Sequence, residues 1–355
     1  MARPSAVQGG KGNSLASAYS PDGRFFAYNH DGGGQHLALW IEQAGKRWRV
    51  TRDSFHESEP DFSPDGERIA FHSEKGGGGI FVAGTGATGE ARLLARRGHR
   101  PRFSPDGKWI AYHREESSEG KDDLTGVHRA FVVSTDGGES RELRPEFRES
   151  QAAVWTADGK HLIFDGTSRE GFADWWATSL DGSVLARTNV GALLKKTLRA
   201  WSVPDRLADG RILFSGSRGD DMDLWEISLG SDFQPLGPAA RLTSGADPKT
   251  FAAPGPAGRL AYSVIRSTFD VWSVPLDPGG RAAGDPVKLT SLGTQNRLPS
   301  LDAAGKRMVF ITNRTGLADV FVTDLGADNG TALTSFRRIQ HRPLLAASGE
   351  QVAYS

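Results

Sequence analysis

The chain has no cysteine among its 355 residues. That excludes a disulfide framework, a thiolate nucleophile and a thiolate metal site, and it fits any redox compartment. It also lacks an excess of either charge: Lys+Arg and Asp+Glu both number 43. A general binder of nucleic acid or anionic membrane would rest its affinity on surplus positive charge, so neither partner is expected. No segment approaches the ~20 consecutive apolar residues that span a bilayer, so no membrane insertion is expected. The opening MARPSAVQGGKGNS lacks the ~7–15-residue apolar stretch of a secretory signal. The sequence therefore reads as a soluble chain, cytoplasmic as numbered, or periplasmic or extracytoplasmic if a leader precedes it. Long amphipathic helical runs are few as well. ALLKKTLRAW (192–201) comes nearest, and it reads better as a strand plus loop.

Glycine is plentiful (44 residues), and 9 Trp, 18 Phe and 5 Tyr recur at intervals. The recurrence has a period. SPDG stands at 20–23, 63–66 and 104–107, followed by TADG at 156–159, LADG at 207–210, GPAG at 255–258, DAAG at 302–305 and AASG at 346–349. Successive copies begin 43, 41, 52, 51, 48, 47 and 44 residues apart. Within a unit, one short strand precedes the turn (PRF, 101–103) and a second follows it (KWIAYH, 108–113). A third alternates aromatic and aliphatic residues (DLWEISL, 223–229; DVWSVPL, 270–276; DVFVTDL, 319–325), and a fourth often ends in Leu-Thr (RLT, 241–243; KLT, 288–290; ALT, 332–334). Period-2 alternation bounded by Gly, Pro and Asp marks strands. Four short strands every ~40–50 residues mark β-propeller blades, because a blade buries its faces only against its neighbours.

The expected fold is therefore all-β: one propeller of four-stranded antiparallel blades over residues 1–355. Seven full repeats occupy 15–341 and a partial eighth 342–355, while residues 1–14 serve as a tail or closing strand. Eight blades are favoured, with seven the alternative. The turn has a conformational reason to recur. Proline pre-sets φ at the second position of a type I turn, aspartate suits the third, and glycine takes the left-handed position that ends it. Glycine is the residue kept in all eight copies, so the phrase reads as a structural corner.

The pattern F-S-P-D-G-x-x-I-A-F, then D-[LVI]-[WF], then L-T resembles the WD40-like repeats of TolB-type β-propellers. The same repeats occur in the propeller domains of the tricorn and dipeptidyl-peptidase groups and in sensory domains of bacterial regulators. The resemblance covers nearly the whole chain and implies the fold. Because that fold hosts scaffolds, receptors and enzyme accessory domains, it does not by itself imply an activity. No G-x-S-x-G elbow and no α/β-hydrolase segment follows, so the peptidase activity of some relatives is not implied.

Candidate site residues lie in the loops that enter each first strand, which surround one channel mouth in propellers. Basic groups predominate there: His99, Arg100, Arg199, Lys249, Arg297, His341 and Arg342, together with the aromatic Trp201. Converging cations in a concave mouth hold a carboxylate or phosphate, and Trp201 would stack on a sugar or a peptide side chain. The reading is a monomeric, non-catalytic binding, scaffold or sensor module for a protein or a small anionic or sugar ligand. Its rival is an axial-site hydrolase or polysaccharide lyase using His99, Arg199, Arg297 and His341. No cofactor and no metal are implied. His72, His113 and Asp165 share a repeat position, but they do not form a local ligand motif. Finally, Arg169–Asp174, Arg218–Asp223, Arg266–Asp270 and Arg314–Asp319 are expected as charge pairs across the hairpins of strands two and three.

Overall fold

The structure is a computed structural model. It describes residues 16–354 apart from 33, 53, 87–89, 117–126, 199, 203–204, 207–209, 219–220, 246, 265–268, 292–294, 315–318, 328–329 and 335–341. The chain divides into two compact units, Met1–Ile265 and Arg266–Ser355.

In the first unit each repeat folds as an antiparallel meander, the strand order expected of a blade. The first sheet runs Ser17–Tyr19, Phe26–His30, Ala38–Gln43, Lys46–Arg49. The second is Glu57–Phe62, Arg68–Ser73, Gly79–Gly84, Ala91–Arg96, and the third is Gly98–Phe103, Trp109–Glu116, Val127–Ser134, Arg141–Glu142. The fourth is Glu149–Trp155, His161–Thr167, Ala173–Ser179, Leu185–Arg187. In the fifth, Ala200–Trp201 and Asp205–Arg206 both pair with Ile212–Arg218, followed by Asp221–Ile227 and Ala240–Arg241. A two-stranded sheet, Lys249–Pro254 with Leu260–Val264, is the sixth.

Side-chain alternation stacks these sheets. Ile69 and Phe71 join Leu39 and Ile41 in one core, while Ala70 between them joins Phe103, Ile110 and Tyr112 in the next. Ala111, Val132 and Trp155 continue the series, then Val154, Trp175, Phe214 and Trp225. A strand pointing alternate residues to opposite faces serves two cores at once. Each large apolar side chain so buried contributes ~1.5–3 kcal/mol.

The sixth sheet meets the fifth and also lies against Ser17–Tyr19 of the first. The sheets of this unit thus return on themselves. The repeat count, which favours eight blades with seven as the alternative, does not anticipate a closure here. Residues 1–14, read from the sequence as a possible closing strand, lie outside the described residues.

The second unit carries one four-stranded meander, Arg297–Leu301, Arg307–Thr312, Asp319–Asp324 and Thr331–Ala332. Two two-stranded sheets accompany it, Trp272–Ser273 with Val287–Lys288 and Leu344–Leu345 with Val352–Ala353. Alternation repeats here too: Met308 and Phe310 pack with Val271, and Val309 packs with Leu345.

All eight turn glycines have positive φ, from 62° at Gly305 to 85° at Gly210. In the first copy Gly23 N–H donates to Ser20 O at 2.9 Å, closing the turn, and the Ser20 hydroxyl donates to Asp22 at 2.7 Å while accepting from Phe25 N–H at 2.9 Å. Ser63, Ser104 and Thr156 repeat the hydroxyl-to-aspartate bond at 2.5, 2.5 and 2.6 Å. One departure concerns the stretch 192–201, where the chain forms a short helix, Val190–Leu194, instead of entering a strand directly. Val190 and Leu194 reach the core beside Trp175, and that burial decides the matter. No helix among the described residues is long and apolar enough to cross a membrane.

Candidate binding site

Near the entry of the first strands the backbone does something that residue types conceal. Glu59, Arg100, Ala152, Phe251 and Leu298 occupy one repeat position, and all are left-handed, with φ of 58°, 53°, 47°, 49° and 54°. At each, the pairing of strands one and two slips. This is a recurrent β-bulge, which bends the strand and re-aims its side chains. A non-glycine residue held so costs ~1–3 kcal/mol, which the surrounding sheets must offset. The five residues share no chemistry, so no sequence pattern announces the bulge.

The eight predicted mouth residues meet different fates. Arg199 and His341 lie outside the described residues, and of Trp201 only its place in a strand is described. Lys249 is buried, 3.2 Å from Asp223 and donating to Gly245 O at 2.6 Å, so its charge is spent inside the protein. Arg100 N–H donates to Glu59 at 2.7 Å. Arg297 is exposed on the first strand of the second unit's meander. Arg342 donates from Nε and Nη2 to Pro299 O at 3.0 and 2.5 Å. Of those described, His99 borders an open cavity.

His99 is the centre of a histidine stack. Its ring lies 4.0 Å from that of His72, nearly parallel, and 6.0 Å from that of His113, which meets His128 edge-on at 5.4 Å. His72, His113 and Asp165 do share a level: their partners across the ladder are Ser58, His99 and Gln151. His99 Nδ1 is 3.6 Å from Glu59 Oε2, and this carboxylate raises the His99 pKa against the effect of burial. Burial works against the Glu59 charge in turn, but His99 and the Arg100 N–H outweigh it and hold that carboxyl at about 2. Burial lowers His72, whose Nδ1 lies 2.7 Å from Gly98 O. A neutral ring must donate there, which leaves Nε2 as an acceptor. Burial presses His113 down to about 3 and lifts Asp165 to about 6. A cavity of about 350 Å³ opens against His72 and His99, bordered by Glu74, Gly77, Gly78, Arg97 and Glu115. No group of three or more metal-ligating side chains is disposed to hold a metal ion among the described residues.

Asp174 and Asp223 pair with cations other than the Arg169 and Arg218 that hairpin spacing predicts, while Arg266, the expected partner of Asp270, lies outside the described residues. Asp174 accepts from Arg187 Nε at 2.9 Å, Asp223 pairs with Arg241 and Lys249, and Asp270 lies 2.7 Å from Lys288 Nζ. Their cations come from strand four and the next repeat. Strand four also supplies the threonine of the Leu-Thr signature. Thr243, Thr290 and Thr334 accept from the N–H of Leu224, Val271 and Val320, each at 3.0 Å, and donate to Asp223, Asp270 and Asp319 at 3.0, 3.1 and 3.5 Å. The D-[LVI]-[WF] and L-T motifs are two halves of one lock.

A larger cavity lies at the other end of the first strands, where the turns are. It holds about 680 Å³ and draws on all six sheets of the first unit. Pro21, Pro64, Pro105, Ala157, Gly210 and Pro256 each come from one copy of the repeated turn, and Tyr19, Trp155 and Phe233 add aromatic rings. His161, whose ring meets Phe233 edge-on at 5.0 Å, Asp158 and Arg211 supply polarity. Sequence reasoning treated the turn as a corner only. The signal was the proline, which is tolerated at a turn but also presents an apolar ring to whatever the turn faces.

Neither a family model nor a curated protein matches the chain. Solved structures do resemble it. A TolB-type protein of Agrobacterium tumefaciens is 18% identical with a TM-score of 0.48, over 92% of this chain and 90% of that one. TolB of Acinetobacter baumannii is 15% identical, TM-score 0.41, over 90% of this chain and 65% of that one. The β-propeller domain of the Trilobed protease of Pyrococcus furiosus is 15% identical, TM-score 0.43, over 91% and 98%. Likeness at this level concerns the fold, and the β-propeller reading stands on the chain's own repeats, meanders and turns.

Proposed function

We propose that the chain is a non-catalytic binding propeller that takes a protein segment or a small ligand at a mouth of the first unit's channel. The observation that supports this is the 680 Å³ cavity ringed by one turn from each of six sheets. Its size falls within the ~300–1,000 Å³ of ligand sites, and an apolar wall with a few polar groups is their usual make-up. Rigid meanders hold the wall, while the turns that form it are free to differ.

The test is a thermal-shift screen of peptides and anionic or sugar metabolites on the full chain and on Ala157→Trp, which fills the cavity from an exposed turn position. A ligand at a hundred times its Kd stabilises by about 2.7 kcal/mol. The expected result is a shift in the parent chain that Ala157→Trp abolishes. A shift that survives the substitution, or none at all, overturns the assignment of the site. Turnover of a peptide, ester or polysaccharide that His99→Gln abolishes would favour the hydrolase or lyase reading instead.

A further inference from the structure

We propose that the second cavity, between the stacked His72 and His99 and the Lys75–Gly78 loop, is a site for a small zwitterion: a free amino acid or dipeptide carrying both a carboxylate and an ammonium group. The inference goes beyond the binding reading above, which concerns the opposite ends of the same strands.

The charges around the cavity carry the argument. Arg97 is the cation bordering it, beside the His99 ring that Glu59 holds, and Glu74 and Glu115 are the anions. Arg97, Glu74 and Glu115 form no ion pair among the described residues. An anion alone would face two carboxylates here, and a cation alone would face the Arg97 guanidinium. A ligand with both charges meets complementary groups on both sides, and like-charge juxtaposition is what rejects the others.

The backbone holds this arrangement in place. Arg97 N–H donates to Gly78 O at 2.8 Å, and Arg97 itself is left-handed at φ 53°. Gly76, Gly77 and Gly78 have φ of 63°, 90° and 85°, and a Cβ on Gly76 or Gly77 would meet nothing within 4 Å. The loop therefore leaves open space beside the cavity where side chains would otherwise stand. His72 contributes a fixed acceptor: with Nδ1–H committed to Gly98 O, Nε2 is left to receive an ammonium N–H. Glu59 serves as a positioning residue, holding His99 by the ion pair so that its ring lies flat on His72. At about 350 Å³ the cavity sits near the lower limit for ligand sites, which suits one or two residues and not a longer peptide.

The experiment is calorimetric titration of the full chain with L-alanine, glycylglycine, acetate and methylammonium at low ionic strength. The expected result is binding of at least one dipolar probe, with acetate and methylammonium about tenfold weaker or more, a difference of about 1.4 kcal/mol. Arg97→Asn, which tolerates the left-handed backbone, and Glu115→Gln should each weaken the dipolar probe by a similar factor, while Ala157→Trp leaves it unchanged. Because Glu115 is exposed, Glu115→Gln is expected to keep the parent's thermal midpoint. Any of four results overturns the proposal: no heat with either dipolar probe at millimolar concentration; acetate binding as well as alanine; no response to Glu115→Gln; or loss of binding in Ala157→Trp.

Discussion

Closure of the first unit between its first and sixth sheets can be tested with one methyl group. Gly23 and Gly258 occupy the same turn position, and both have φ of +70°. Alanine at Gly258 would meet no heavy atom within 4 Å, whereas at Gly23 its Cβ would fall on the ring of Pro256. Gly258→Ala therefore costs only the left-handed conformation, ~1–2 kcal/mol. Gly23→Ala bears that cost and, in addition, overpacking at the junction of ~1–3 kcal/mol, so its destabilisation should reach ~2–5 kcal/mol by the same principles. Pro256→Ala removes the obstructing ring atoms. The double substitution Gly23→Ala/Pro256→Ala should thus recover most of the excess, a coupling within the ~0.5–3 kcal/mol seen for touching residues. Equilibrium denaturation followed by tryptophan fluorescence reads the parent and the four variants. If Gly23→Ala is no worse than Gly258→Ala, or if Pro256→Ala recovers nothing, then Gly23 and Pro256 are not neighbours and the closure is wrong.

Three further outcomes follow from the described contacts. Thr243→Val leaves Leu224 N–H without its acceptor and takes one of several donors from Asp223, and denaturation should show a loss of ~1–3 kcal/mol; Thr334→Val should behave alike. Lys249→Met removes one partner of the buried Asp223, a change of the kind that costs ~3–5 kcal/mol, with Arg241 retaining part of it; zwitterion binding should not change. In acid, two groups lose stability for different reasons. His113 takes up a proton near 6.5 when unfolded but only near 3 when folded, so its contribution is complete above 6.5 and lost as pH falls from there toward 3. Glu59 adds a lower window, from 4.5 down to about 2. His113→Gln should flatten the stability profile in the upper window and Glu59→Gln in the lower, as read by urea midpoints across pH; a profile unmoved by either substitution would refute both assignments.

Much of the fold was legible because its determinants are local. A turn that needs a left-handed residue keeps glycine, and all eight positions do have positive φ. The strand alternation was equally plain, since Ile69, Ala70 and Phe71 each had to suit the core they face. Closure was not legible, because it depends on how much each sheet is rotated against the next, a sum over many non-local contacts. The candidate site was legible in part. His99 borders a cavity, but Lys249 is consumed by Asp223, a partner in the preceding repeat that no spacing rule indicates. The bulge at Glu59 and Arg100 was hidden because conformation, not chemistry, is what its members share. The turn-end cavity was missed for the opposite reason: its members share a chemistry already explained by the turn.

The self-sufficiency of the Ser-Pro-Asp-Gly turn has an evolutionary consequence. Serine, aspartate and the main chain satisfy one another within a few residues, so the second position carries no polar obligation and is free to vary. In this chain it is proline at 21, 64, 105 and 256 and alanine at 157. Five of the six sheets of the first unit thus lay one replaceable tile in the wall of the cavity, and exchanging a tile leaves the turn beneath it intact. Under the proposed binding role, a lineage of such chains would drift from one ligand to another by single substitutions that never expose the core to selection.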